Sequence, residues 1–326
     1  MSILAHPMAA SAAARTFQRL TSLSQKAAER GGRSGSRLAP HDRFPQYQAI
    51  THELTIPNSV VAARAVVYAP TAGTGTEPIP VHVNFHGGGY VMGLTEMDDP
   101  LCRYLAAEAG VVVVNVDYAL APQHSFPEPP RQAYEIVTWI ADHCAHFGWD
   151  ASRLSVGGQS AGGGLAAAVA RQALIQAGPA ICLQVLHYPP LDLATNARDK
   201  RAAKAKPMLR PWMADIFDSA YVPDKRRRAD PLVSPAHPTD TADLAGIAPA
   251  LVITAELDLL LEEGKRYADR LAAANALAEY HVVAGADHGY DGTDDTKALD
   301  TYALIVSWLR TAEPAGGSSD ERTLKS

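Results

Sequence analysis

Long apolar runs are missing from this chain. None comes near the roughly 20 residues that a membrane-spanning helix needs. The N-terminal stretch MSILAHPMAASAAARTF is rich in alanine but has no basic segment followed by a continuous apolar core, so it does not read as a secretory signal. An excess of positive charge is missing as well. The 29 Lys and Arg against 35 Asp and Glu leave a formal charge of −6, which argues against a nucleic-acid partner. Cysteine is scarce. Cys102, Cys144 and Cys182 lie far apart with no C-x-x-C spacing, so they read as buried reduced thiols and not as a disulfide framework or a metal site. A cytoplasmic protein with no membrane partner is the expectation.

What is present is an alternation. Two β-rich runs, Ala49–Ile56 and Ala62–Tyr68, read as an antiparallel pair around Pro57-Asn58-Ser59. From Val81 onward apolar strands and helical patterns take turns. The strands are 81–85, 111–116, 154–156, 181–187, 250–254 and 279–283; the helices are 98–109, 130–147, 262–273 and 295–309, with a further Ala-rich run at 165–170. Such a rhythm implies a mostly parallel sheet with helices on both faces. Residues 1–45 read as an N-terminal segment and linker, with a weakly amphipathic helix over 11–30 that places Ala12, Phe17, Leu20, Leu23 and Ala27 together. Gly31 to Pro40 reads as a flexible connector, TAGTGTEP as a surface loop, and residues 313–326 as a disordered tail. The catalytic domain then covers 46–193 and 236–312. Residues 194–235 interrupt it, too long for a plain loop and with a helical pattern of Leu209, Trp212, Met213, Ile216, Phe217 and Tyr221; this is the expected cap insertion. The basic residues around it, Lys200 to Lys206 and Lys225 to Arg228, read as solvated faces.

One stretch carries the chemistry. Between the strand ending at Val156 and the Ala-rich helix sits Gly158-Gln159-Ser160-Ala161-Gly162, a G-x-S-x-G turn. A serine in a sharp strand-to-helix turn needs very small residues two positions either side, and the turn pushes its hydroxyl out of the sheet. That hydroxyl needs an imidazole to take its proton. Open parallel sheets keep their working residues beyond the carboxyl ends of strands. Among twelve histidines His288, just past the strand ending at Val283, fits best; His187 at the end of another strand is the rival. The imidazole needs a carboxylate, and the loop after Thr254 offers Asp258, favoured over Glu256 and over Asp287, which is too near His288 to face its ring. Gly87-Gly88-Gly89 follow a strand directly, where backbone donors for a tetrahedral oxyanion belong, and the Ala161 N–H adds another. Tyr90, Trp212, Phe217 and Tyr221 are the candidates to line the substrate pocket.

The motifs HGGGY at His86, DYALAPQHSFPEP from Asp117, GGQSAGGG from Gly157, YPPLD at Tyr188, DPLVSP at Asp230, AELDLLLEEG from Ala255 and DHGY at Asp287 stand in one order and spacing. In these the chain resembles the hormone-sensitive lipase family of α/β-hydrolases, in its bacterial carboxylesterase branch. The resemblance implies the α/β-hydrolase fold: a mostly parallel eight-stranded sheet, helices on both faces and a helical cap built from the N-terminal segment, residues 1–45, and the insertion over 194–235. It implies Ser160 as nucleophile, Asp258 and His288 as its partners, and Gly88, Gly89 and Ala161 as the oxyanion hole, with Gly87 in the same loop. It implies no cofactor and no metal, a small-molecule ester substrate, and homodimers through the last strand and helix. Gln159 departs from the pattern, standing where the family carries an acid. Ala119, Gln123, Glu262 and Ala274-Asn275 depart more mildly. The expected activity is hydrolysis of short- to medium-chain carboxylic esters through a serine acyl-enzyme. An amidase or deacetylase on the same triad is the alternative. A non-catalytic ligand-binding member of the fold is the remote one, disfavoured because His288 is in place.

Overall fold

A computed structural model describes residues 8–16, 18–19, 43–71 and 77–315. The connector over 31–40, the remainder of the N-terminal helical pattern, positions 72–76 of the TAGTGTEP loop and the tail from 316 lie outside the described residues. The strands are β1 (Ala49–Ile56), β2 (Ala63–Pro70), β3 (Ile79–Phe85), β4 (Val112–Asp117), β5 (Trp149–Gln159), β6 (Leu183–His187), β7 (Ala250–Ala255) and β8 (Leu277–Val283). The helices that concern the site are α1 (Asp99–Ala109), α2 (Glu128–Phe147), α3 (Ala161–Gln176), α4 (Pro211–Tyr221), α5 (Leu261–Ala273) and α6 (Asp295–Thr311).

The eight strands form one sheet in the order β1-β2-β4-β3-β5-β6-β7-β8. β1 and β2 pair antiparallel, as do β2 and β4; every pairing from β4 onward is parallel. The expected α/β-hydrolase fold is therefore the fold observed. Strand alternation sends side chains to two cores. Val112, Val114 and Val116 of β4 join Val81, Val83 and Phe85 in the core under α2, α3 and α5. Val111 and Val113, with Leu183, Val185, Leu251 and Ile253, face the core under α1 and α6. Parallel strands covered on both faces become continuous apolar runs, which is why they are readable in the sequence.

Several details differ from the sequence-based expectation. β5 begins at Trp149, well before the apolar run, because its polar residues Asp150 to Arg153 lie at a partly exposed end that pairs with β3 across an irregularity at Pro80/Val81. α2 begins at Glu128, since prolines in the first turn need no backbone N–H partner. In the N-terminal helical segment over 8–16, the buried positions are Ala10 and Ala14, while Ala12 is exposed. Lys200 is not solvated. Its side chain is 9% exposed and its Nζ stands 2.6 Å from Glu263. Arg228 is also held, donating to the Val222 carbonyl and to Ser219 Oγ. The three cysteines are buried and unpaired with one another.

Candidate active site

The loops that follow β3, β5, β7 and β8 all open at the carboxyl edge of the sheet. β3 and β5 are hydrogen-bonded neighbours, so the HGGGY loop and the Ser160 turn are brought side by side. Ser160 holds φ 51° and ψ −120°, a strained conformation for an L residue. Gly162 is required beside it: a Cβ there would lie 1.7 Å from the Phe85 carbonyl oxygen. The Ser160 N–H donates to the His187 carbonyl at 2.8 Å, which pins the turn to β6.

The structure brings Ser160, His288 and Asp258 together. Ser160 Oγ is 2.9 Å from His288 Nε2, and His288 Nδ1 is 2.7 Å from Asp258 Oδ2. With the ring neutral, Nδ1–H donates to the carboxylate and Nε2 is left to accept the serine proton. Burial is the largest single influence and pulls the pKa of His288 down, but the charge and hydrogen bond of Asp258 together with the charges of Asp291 and Asp287 outweigh it; the net direction is upward. The other carboxylates of the two loops are otherwise employed. Glu256 accepts from the Gly285 N–H at 2.6 Å. Asp287 accepts from the backbone N–H of His288 and of Met208, and pairs with Lys204 at 3.2 Å. His187, the rival base, is buried, its pKa pushed down to about 4 by desolvation, and its Nε2 meets the Tyr290 hydroxyl at 2.7 Å.

Above Ser160 lies a cavity of about 280 Å³. Gly87, Gly88, Gly89 and Tyr90 line it from one side. Ala161 opens α3 directly after the serine and is fully buried; it is not a lining residue. Helix α4 contributes one wall of the cavity. Met213, Ala214 and Phe217 line it with Leu209, and Phe217 packs so closely on the loop that a Cβ at Gly89 would come within 2.6 Å of its ring.

Two of the expected pocket residues are elsewhere. Trp212 is 42% exposed and is not a lining residue, because it lies a helical step of about 100° away from the Met213–Phe217 face. Tyr221 shares the helix face of Phe217 but lies a turn beyond the cavity. It is buried and stacks on Tyr90 at 3.9 Å, so it supports the wall without forming it. A second, polar wall is not foreseen from the sequence: Arg43, Asp98, Tyr188, Asp291 and Tyr302. Asp98 is buried beside Asn84, which donates to it at 2.9 Å, and desolvation pushes its pKa up to about 8. The only sequence signal for Asp291 is its place three residues after His288.

Comparison with known proteins agrees with the fold. A sequence profile of the α/β hydrolase fold matches residues 82–291. The chain is similar to Esterase LipI of Mycobacterium tuberculosis, 34% identical over 256 residues that cover 76% of each chain. It is similar to ethyl acetate hydrolase of Pseudomonas putida, 35% identical over 230 residues covering 69% of this chain and 71% of that one. Among solved structures, an esterase of Pyrobaculum calidifontis superposes with a TM-score of 0.79 at 31% identity, over 91% of this chain and 92% of that one.

Proposed function

The chain belongs to the hormone-sensitive lipase family of α/β-hydrolases, in its carboxylesterase branch, and we propose that it hydrolyses small carboxylic esters with Ser160 as nucleophile, His288 as base and Asp258 as the orienting acid. The observation that carries this reading is the unbroken run of two hydrogen bonds, at 2.9 Å and 2.7 Å, from the serine hydroxyl at the cavity wall to a buried carboxylate.

Ser160 Oγ attacks the ester carbonyl carbon while its proton passes to His288 Nε2. The carbonyl oxygen becomes an oxyanion, received by the N–H groups of Gly88, Gly89 and Ala161, with Gly87 shaping the loop. As the tetrahedral species collapses, the C–O bond to the alcohol breaks and His288 returns the proton to the leaving oxygen. The acyl group is left on Ser160. A water molecule then attacks that carbonyl, giving its proton to His288; as this second tetrahedral species collapses, the bond from the acyl carbon to Ser160 Oγ breaks, His288 returns the proton to Oγ, and the carboxylic acid and the free serine are released. Asp258 keeps Nδ1 protonated throughout and steadies the imidazolium.

The apolar wall of Leu209, Met213 and Phe217 takes the acyl chain, with Tyr90 beside the oxyanion loop. A cavity of about 280 Å³ sits just below the ~300–1,000 Å³ range of drug-sized ligands, which favours short to medium chains. Residues 194–235 act as the cap insertion, with α4 as its lid over the site. We further read the protein as a cytoplasmic homodimer joined through β8 and α6. β8 ends the sheet with Val282 exposed, and no helix among the described residues is long and apolar enough to cross a membrane. The reading is tested by a serine-directed fluorophosphonate followed by peptide mapping. Adduct on Ser160, with loss of 4-nitrophenyl ester hydrolysis in Ser160→Ala, is expected; adduct on another residue overturns it.

A further inference from the structure

Ser160 and His288 stand on loops from β5 and β8, with β6 and β7 between them in the sheet. Beside the Ser160–His288 hydrogen bond runs a second link between the same two loops. Gln159, the residue before the serine, donates its Nε2–H to Asp291 Oδ2, and Asp291 lies three residues after the histidine. Both side chains are buried, 7% and 4% exposed. Asp291 gathers further donors. The Tyr188 hydroxyl, from the loop after β6, donates to Oδ1 at 2.5 Å, and the Tyr302 hydroxyl, from α6, donates to Oδ2 at 3.3 Å. The ring of Tyr188 lies 5.0 Å from that of His288. One carboxylate thus ties the ends of β5 and β6 and the helix after β8 to the turn that carries His288.

We infer that Gln159 and Asp291 form a positioning strut that sets the separation of Ser160 and His288. The inference rests on the proposed roles of those two residues. A buried carboxylate opposite residue 159 requires a donor there. Glutamine supplies one, whereas a second carboxylate would set two like charges at hydrogen-bond distance without water between them. The strut touches no reacting atom. Its effect is on how often the serine hydroxyl lies in line with Nε2, and that belongs to kcat.

The decisive variants reverse the polarity of this one bond. Gln159→Glu places acid against acid. Adding Asp291→Asn to it restores a donor–acceptor pair with the roles exchanged: the amide introduced at position 291 donates to the carboxylate introduced at position 159, and its oxygen still accepts from Tyr188. On 4-nitrophenyl butyrate, Gln159→Glu is expected to lower kcat about 10–100-fold, the scale of a small misplacement of catalytic groups, with KM changed less than about threefold. The double variant is expected to recover kcat to within about threefold of the parent, the signature of coupled neighbours. Circular-dichroism melts accompany both. Unchanged kcat in Gln159→Glu overturns the inference. So does a double variant that is as slow as Gln159→Glu or does not fold. If Gln159→Glu alone does not fold, recovery in the double variant carries the result. Fluorophosphonate mapping of the parent separates the two levels: adduct on Ser160 without compensation sinks the strut alone, while adduct elsewhere sinks the triad assignment beneath it.

Discussion

Lys200 of the cap segment and Glu263 of α5 form an ion pair at 2.6 Å, with 9% and 2% of their side chains exposed. Glu263 also accepts the backbone N–H groups of Leu191 and Asp192, so one carboxylate holds the cap, the loop after β6 and the helix after Asp258. Removing one member of a buried pair leaves the other charge without compensation, at a cost of roughly 3–5 kcal/mol. Lys200→Met is therefore expected to lower the unfolding free energy in guanidinium by about that amount. A loss below about 1 kcal/mol would show the junction to be wetter than it looks.

The acid limb of activity follows from His288. The base must be neutral to take the serine proton, and its pKa lies above the ordinary imidazole value of 6.5 because Asp258, with Asp291 and Asp287, outweighs burial. As pH falls through that raised pKa, kcat/KM falls with it, so the limb is expected above pH 6.5. Asp258→Asn removes the carboxylate that raises it. That change is expected to shift the limb to lower pH and to cost about 10⁴-fold in kcat. A limb that stays in place in Asp258→Asn would detach Asp258 from the histidine.

Stability against acid rests on other histidines. His82, His86 and His187 are buried, and desolvation lowers each from 6.5 to about 4. A folded pKa below the unfolded one means that the contribution is complete above pH 6.5 and is lost as pH falls through about 4. Each contributes up to roughly 3 kcal/mol, at about 1.4 kcal/mol per pH unit. Melting temperature is expected to decline steadily between pH 6.5 and 4. A flat profile over that interval would mean that these rings take up protons without unfolding.

The cap helix separates two aromatic substitutions. Phe217 lines the cavity and rests on Gly89, whereas Trp212 faces outward. Phe217→Ala is expected to move the preferred acyl length upward in a 4-nitrophenyl ester series and to raise KM for acetate. Trp212→Ala is expected to leave the series where it was. Equal effects from both would place the acyl chain elsewhere under the cap.

The contrast between these two residues also marks how far the chain can be read. Ser160 and Asp258 are legible because each follows the carboxyl end of a buried parallel strand, which announces itself as an apolar run; His288 follows the edge strand β8, which is half-exposed, and is legible from its place beyond that strand's carboxyl end. The glycine loop after β3 is legible for the same reason. Tyr221 is not separable from Phe217 by pattern, since helical spacing shows which residues share a face but not where along it the cavity ends; Trp212 lies off that face, but the pattern alone does not say which face turns to the cavity. Lys200 reads as solvated because its partner Glu263 lies far along the chain, and no local pattern records a long-range ion pair. Gln159 is an unexplained departure in the sequence, and only the fold sets Asp291, also remote along the chain, opposite it.

Ser160 sits at φ 51° and ψ −120°, a region that costs an L side chain roughly 1–3 kcal/mol. Its place at the end of β5 leaves it no other shape, so the fold is under tension at the atom it exposes to substrate. Glycine meets no such penalty there. Ser160→Gly is accordingly expected to melt at a higher temperature than the parent while hydrolysing nothing. The residue proposed to attack substrate is then also a strained backbone joint, and durability and turnover pull against each other there.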